Sequence, residues 1–221
     1  MLVISDLRVI EKRTIECHEE FLDFRDTVPE ILVDLSRNQI ESRSEAFLKV
    51  RRTVLEKLLT ASKELPEGVK FLIKEAYRPP GLQQKFFDSY YETLGKQFPG
   101  TSSEELRKET SKYVAPVLTA PHPAGGAVDL TLVKSSGVEL DMGSRFNAPP
   151  FETNNACYTF AENISKQAKV NRRILISSLT DVGFVNYPTE WWHWSYGDKY
   201  WAVVKEKKNA IYGPVEENVL E

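Results

Sequence analysis

Three histidines occur in the 221-residue chain, and two of them fall in stretches whose residue types can do chemistry. The stretch "HPAGGAVDLTLV" (122–133) places His122 seven residues ahead of Asp129, with Gly125 and Gly126 between them and an alternating apolar run following. The stretch "TEWWHWSY" (189–196) sets His193 among tryptophans, three residues after Glu190. Read as strands, both sort their side chains with a period of two. Val128, Leu130 and Leu132 then take one face, while Asp129 and Thr131 take the other. Likewise Trp192, Trp194 and Tyr196 oppose His193 and Ser195. If the two strands are neighbours, His193 and Asp129 meet in a cleft, and the glycine pair lets the backbone turn His122 back toward them.

Two imidazoles and one carboxylate suit a catalytic zinc ion, one per chain, which keeps a fourth position open for water and lowers the pKa of that water to about 7. Nitrogen and oxygen donors suit other divalent ions as well. Alone, a histidine between tryptophans is more often a packed, hydrogen-bonded residue; the coincidence of two such motifs favours a site. A base is also needed, and Glu190 is the candidate. Residues three apart in a strand face opposite ways, so Glu190 must lie on a turn after Pro188 rather than in the ladder. Arg78 follows a strand candidate and precedes Pro79-Pro80, which fixes its backbone at a strand end. A rigid arginine there suits a peptide carboxylate or the charge on a tetrahedral intermediate. Glu75, Asp88 and Asp141 read as solvated or structural, and His18 as a helix-surface residue.

The positioning elements follow from the apolar spacing. Phe47, Val50, Val54, Leu58, Ala61 and Leu65 step by three and four, which predicts a helix over 46–65 ended by Pro66 and Gly68. "VKFLIKEAY" (69–77) reads as a strand. A second helix starts near Gly81 with Leu82, Phe86, Tyr90 and Leu94 on one face, and a third starts at Ser102, three residues ahead of Glu105. "KSSGVELDMGSRFNAPPFETNN" (134–155) reads as a long surface loop of the kind that is commonly functional. A last helix runs from 155 or later to Val182, with Ile174, Leu175, Leu179 and Val182 inward and Gly183 beyond its end. With no regular βαβ alternation and no glycine-rich phosphate loop, the expected fold is α+β, with a central antiparallel sheet carrying the site and helices flanking it.

Composition excludes several classes. With 41% hydrophobic and 28% charged residues the chain is long enough for a real core, and a net charge of −3 gives no electrostatic case for nucleic acid or an anionic membrane as partner. No stretch has the apolar length of a membrane span. The start "MLVISDLRVIEKR" lacks a basic lead and a long apolar run, so the expected address is the cytoplasm. Cys17 and Cys157 lie far apart and are expected to be reduced. Size predicts one domain spanning 1–221.

In order along the chain, "EAYRPPGLQ", "PHPAGGAVDLTL", "DMGSRF", "NRRIL" and "EWWHW" resemble the zinc D-Ala-D-Ala dipeptidases, the family of the vancomycin-resistance dipeptidase. The resemblance covers about 46–197 and leaves 1–45 as an N-terminal extension. It implies zinc at His122, Asp129 and His193, Glu190 as general base and acid, Arg78 as the transition-state stabiliser, and attack by zinc-bound hydroxide on a small peptide. It also implies an α+β fold shared with zinc D,D-carboxypeptidases and murein endopeptidases.

Two substrate-binding positions depart from the family pattern. Ala120 stands where the family has serine, and Asn147 where it has the aspartate that holds the substrate's ammonium. An unpaired ammonium in a closed pocket is costly, so other dipeptides or longer, N-acylated peptides are expected beside D-Ala-D-Ala. A carboxypeptidase or endopeptidase acting on cell-wall peptides shares the ligand set. A metal-stabilised binding domain without catalysis would need neither Glu190 nor Arg78.

Overall fold

The computed structural model describes residues 1–27, 29–36, 45–111 and 113–220. Its strands are β1 Phe21–Asp23, β2 Leu32–Val33, β3 Lys49–Arg51, β4 Val69–Glu75, β5 Ala127–Lys134, β6 Val185–Asn186 and β7 His193–Ser195. Five of them form the central sheet in the order β2-β4-β5-β7-β6, and β1 pairs with β3 in a separate ribbon. The central sheet is antiparallel except at its β2 edge, which runs parallel to β4. The expected α+β architecture is present.

β5 is the axis. Val128, Leu130 and Leu132 are fully buried in the main core, as their alternation requires. The opposite face is buried too, with Asp129 5% and Thr131 0% exposed, and the loop after β5 lines a cavity with Thr131. That loop (135–149) carries a single bridge from Glu139 back to Val133 and leads into the short helix α5, Pro150–Thr153.

The remaining helices are α1 Leu7–Ile10, α2 Arg52–Ser62, α3 Pro80–Gln97, α4 Ser103–Thr110, α6 Lys166–Asp181 and α7 Lys199–Val204. The expected helix over 46–65 is corrected. Residues 45–48 form a 3-10 turn, 49–51 are β3, and only 52–62 are α-helical. Phe47 is buried by core packing, and Val50 by core packing and its pairing with Leu22 of β1, rather than by a helix face. Within α2, Val54, Leu55, Leu58 and Ala61 face the core. Burying a side chain of the size of Leu58 contributes roughly 1.5–3 kcal/mol.

α3 turns a different face inward from the one expected. Pro80, Gln83, Phe87 and Leu94 are its buried residues, so that Leu94 alone of the expected face is buried, whereas Phe86 faces the cavity described below and Tyr90 meets Tyr113 edge-on. Ser102 caps α4 by accepting from Glu105 N at 3.2 Å. α6 starts at Lys166 under a Ser165 cap, and Gly183 follows it with a φ of +94°. Lys57 Nζ donates to Val182 O at 2.8 Å, a cation placed at the C-terminal end of α6. α6 is not the last helix, since α7 follows, capped by Asp198, which accepts from Tyr200 N and Trp201 N. His18 lies on no helix but in an exposed irregular segment, with a φ of +55°. Both cysteines are free. Among the described residues, no helix is long and apolar enough to cross a membrane.

Candidate active site

Antiparallel pairing of β5 with β7 sets Asp129 directly opposite His193. On the same face, His193 Nδ1 lies 3.0 Å from Asp129 Oδ1. His122 arrives from a 3-10 turn, His122–Ala124, that closes with Gly125 N donating to His122 O at 3.0 Å. Gly125 takes a φ of +66°, and a side chain there would run into the Phe21 ring. A Cβ on Gly126 would lie 2.6 Å from Tyr196 O, so close backbone approach demands glycine there too. The turn brings His122 Nε2 within 3.4 Å of the same Asp129 oxygen.

His122 Nδ1 donates to Ala76 O at 2.6 Å, which orients the ring and leaves Nε2 as the atom facing Asp129. The three donor atoms lie within 4.8 Å of one another and all three residues are buried. Donors about 2.0–2.1 Å from a tetrahedral ion are about 3.3 Å apart, so the 3.0 and 3.4 Å separations match what one zinc-sized ion requires. His193 Nε2 is buried with no hydrogen-bond partner among the described residues. Burial works against the charge on Asp129, yet the two imidazoles hold its carboxyl well below the usual range. Burial likewise disfavours a charged His122, but Asp129 outweighs it and raises the imidazole above its ordinary value. A dication would replace that proton. The donor set fits a divalent metal.

Glu190 lies on the turn between β6 and β7, as its spacing requires. The turn is tied by Glu190 N to Tyr187 O at 2.9 Å. Asn186 Nδ2 donates at 3.0 Å both to Glu190 O and to His193 O, so one side chain holds the base and a histidine in fixed relation. Burial pushes the Glu190 carboxyl up to about 7, with His193 opposing and Asp129 assisting the rise. A carboxyl poised there can both accept and return a proton near neutrality.

Arg78 sits between β4 and α3, where Pro79 and Pro80 open the helix. Its Nε and Nη2 donate to the two oxygens of Glu75, each at 2.7 Å, and Nη1 donates to Gln83 Oε1 at 2.8 Å. Burial alone would raise the Glu75 carboxyl, but the Arg78 guanidinium holds it lowered. Gln83 is fixed in turn by Ala115 O at 2.7 Å. Glu75 is therefore a buried positioning group, which a charge in a short strand-end motif did not reveal; Gln83, Asn186 and Tyr187 were missed for the same reason.

A cavity of about 380 Å³ joins these groups, with Arg78, His122, Asp129, Glu190 and His193 all in its wall. Ala120 and Asn147 line it as well, Asn147 with a φ of +57°. The loop that carries Asn147 is pinned by the buried Arg172, which donates to the carbonyls of Met142, Ala156 and Tyr158. The "NRRIL" motif thus supports the wall of the cavity.

Known proteins resemble this chain to differing depth. A D-alanyl-D-alanine dipeptidase of Synechocystis is 27% identical over 172 residues, covering 66% of this chain and 70% of its own. One of Enterococcus faecium is 31% identical over 149 residues, covering 64% and 70%. Among solved structures, VanYB in complex with D-Alanine-D-Alanine aligns with a TM-score of 0.41 at 20% identity, over 67% of this chain and 71% of its own. The LdcB LD-carboxypeptidase aligns with a TM-score of 0.46 at 18% identity, over 87% and 74%. The D-Ala-D-Ala dipeptidase family profile matches residues 33–210, well over half the sequence. The chain is a metallopeptidase and belongs to the D-Ala-D-Ala dipeptidase family.

Proposed function

We propose that the protein hydrolyses a small peptide, D-Ala-D-Ala or a related dipeptide, at one zinc ion held by His122, Asp129 and His193. The observation that carries this reading is the convergence of three buried donors on one point, in a cavity that also holds Glu190 and Arg78. Bound zinc supplies Lewis acidity and makes water a nucleophile near neutral pH. Water adds to the peptide carbonyl carbon while Glu190 takes its proton. The C–N bond then breaks as Glu190 returns that proton to the departing nitrogen. Arg78, immobilised by Glu75 and Gln83, presents positive charge to the oxygen that becomes negative.

A second reading, cleavage of cell-wall peptides whose amine is acylated, is favoured by the charges in the cavity. Among its described lining residues the carboxylates are Asp129 and Glu190, both committed to the chemistry. Asn147 offers a neutral amide and Ala120 no hydroxyl, so a free ammonium lacks a dedicated counter-charge.

The test compares free D-Ala-D-Ala with N-acetyl-D-Ala-D-Ala, using the zinc-loaded chain and Glu190→Gln. A 10²–10⁴-fold loss of turnover in the variant, with zinc content unchanged, supports the reaction and the base. Strong preference for the free dipeptide removes the second reading. One zinc per chain without turnover on either substrate favours a non-catalytic binding domain, and no zinc binding refutes the site.

A further inference from the structure

The family match begins at residue 33, yet one residue that precedes it helps to wall the catalytic cavity. Ile4 lines the cavity beside Tyr187. It is 5% exposed and packs in a cluster with Val185, Tyr187, Tyr200 and Trp201. The segment around it is anchored rather than draped. Asp6 caps α1 by accepting from Arg8 N at 2.9 Å, Val9 is fully buried, and α1 packs on α7. Lys199 Nζ donates to Ile10 O at 2.9 Å, and Lys12 Nζ donates to Lys207 O at 3.0 Å. The Ile4 backbone, together with Thr189, hydrogen-bonds the Tyr187 side chain, whose ring stands edge-on to His193 with centroids 6.1 Å apart.

We propose that residues 1–10 form a fixed stop at one end of the catalytic cavity, and that Ile4 is a specificity-determining residue limiting the length of peptide the site accepts. This rests on the peptidase reading of that cavity. A branched aliphatic side chain offers a continuing peptide no hydrogen-bond partner. A chain running past Ile4 would bury backbone N–H and C=O groups unpaired, which disfavours its binding. It would also have to displace Ile4 from its aromatic neighbours. A short peptide that ends before the stop incurs neither penalty.

The experiment uses the full, zinc-loaded chain, with Ile4→Ala and Ile4→Val beside the unmodified protein. The probes are D-Ala-D-Ala, Gly-D-Ala-D-Ala and D-Ala-D-Ala-Gly, the last two extending the dipeptide at the amino and at the carboxyl end. The expected result is a rise of about tenfold in kcat/KM for one extended peptide relative to the dipeptide in Ile4→Ala. Ile4→Val, which removes one methyl group and keeps the fold if alanine does not, moves the same ratio in the same direction by less. Calorimetric Kd ratios in the Glu190→Gln background must shift in parallel, which reads length preference without turnover. Unchanged ratios in folded variants overturn the inference and leave the dipeptidase reading intact. Failure of the unmodified chain to bind or cleave any of the three peptides overturns that reading, and the inference with it.

Discussion

Glu75 and Asp129 are cross-strand partners on β4 and β5, yet the two carboxylates are committed to different partners. Asp129 draws in the two imidazoles, while Glu75 grips Arg78 through both of its oxygens. Two buried like charges this close raise each other's cost, and the arrangement holds because both are paired.

That pairing gives the first prediction. Glu75→Gln keeps the shape but breaks the bidentate grip, so the guanidinium loses its fixed orientation. We expect kcat/KM to fall roughly 10- to 100-fold, with most of the loss in kcat, while zinc content stays at that of the unmodified chain. Arg78→Lys should lose about 10²–10³-fold, because an ammonium cannot reproduce the fork. Steady-state kinetics with metal analysis on the same preparations decide it; Glu75→Gln at full activity would refute the positioning role.

A second prediction concerns acidity in the metal-free protein. The Glu190 carboxyl is raised from 4.5 to about 7 by burial. Between those values the unfolded chain releases a proton that the folded chain keeps, so this group's contribution to stability falls as pH rises through that window. Glu190→Gln removes the penalty. The variant should therefore be more stable than the unmodified apoprotein above pH 7, by on the order of 1–2 kcal/mol after allowing for the carboxylate's exposure to the cavity. The difference should vanish below about pH 4.5. Denaturant unfolding at a series of pH values provides the test, and a constant difference across the range would contradict the assigned environment.

The third prediction lies away from the chemistry. Arg172→Met would leave the carbonyls of Met142, Ala156 and Tyr158 without their donor. We expect a loss of about 3 kcal/mol of stability. Backbone amides across 141–158 should exchange faster, because the loop that carries Asn147 loses its anchor. Exchange confined to the helix itself would show that Arg172 supports α6 alone.

Much of the site was legible because sheet alternation is a local rule. Asp129 and His193 declare their common face through flanking Val128, Leu130, Trp192 and Trp194, and Glu190 could be placed on a turn from its offset alone. Where reading failed, a distant partner decided the outcome. Phe47 and Val50 fit a helical period, but β1, more than twenty residues earlier, captures 49–51 as a strand. Leu82 and Phe86 obey the same period, yet α3 turns Phe86 to the cavity and Gln83 inward to hold Arg78. Glu75 reads as an ordinary strand charge until Arg78 folds back on it. Ile4 gives no sign of its place, because its neighbours Tyr187 and Trp201 lie at the other end of the chain.

The registration of β5 against β7 also has a consequence for how the site comes into being. Asp129 and His193 are 64 residues apart in sequence and meet because one ladder closes in one alignment. A slip of β7 by a single residue would turn His193 toward the tryptophan side and put a tryptophan against Asp129. The same hydrogen bonds that complete the sheet therefore act as its assembly gauge: a misaligned chain could be largely folded and still hold no ion. Metal uptake, followed during refolding, would report correct alignment of these two strands.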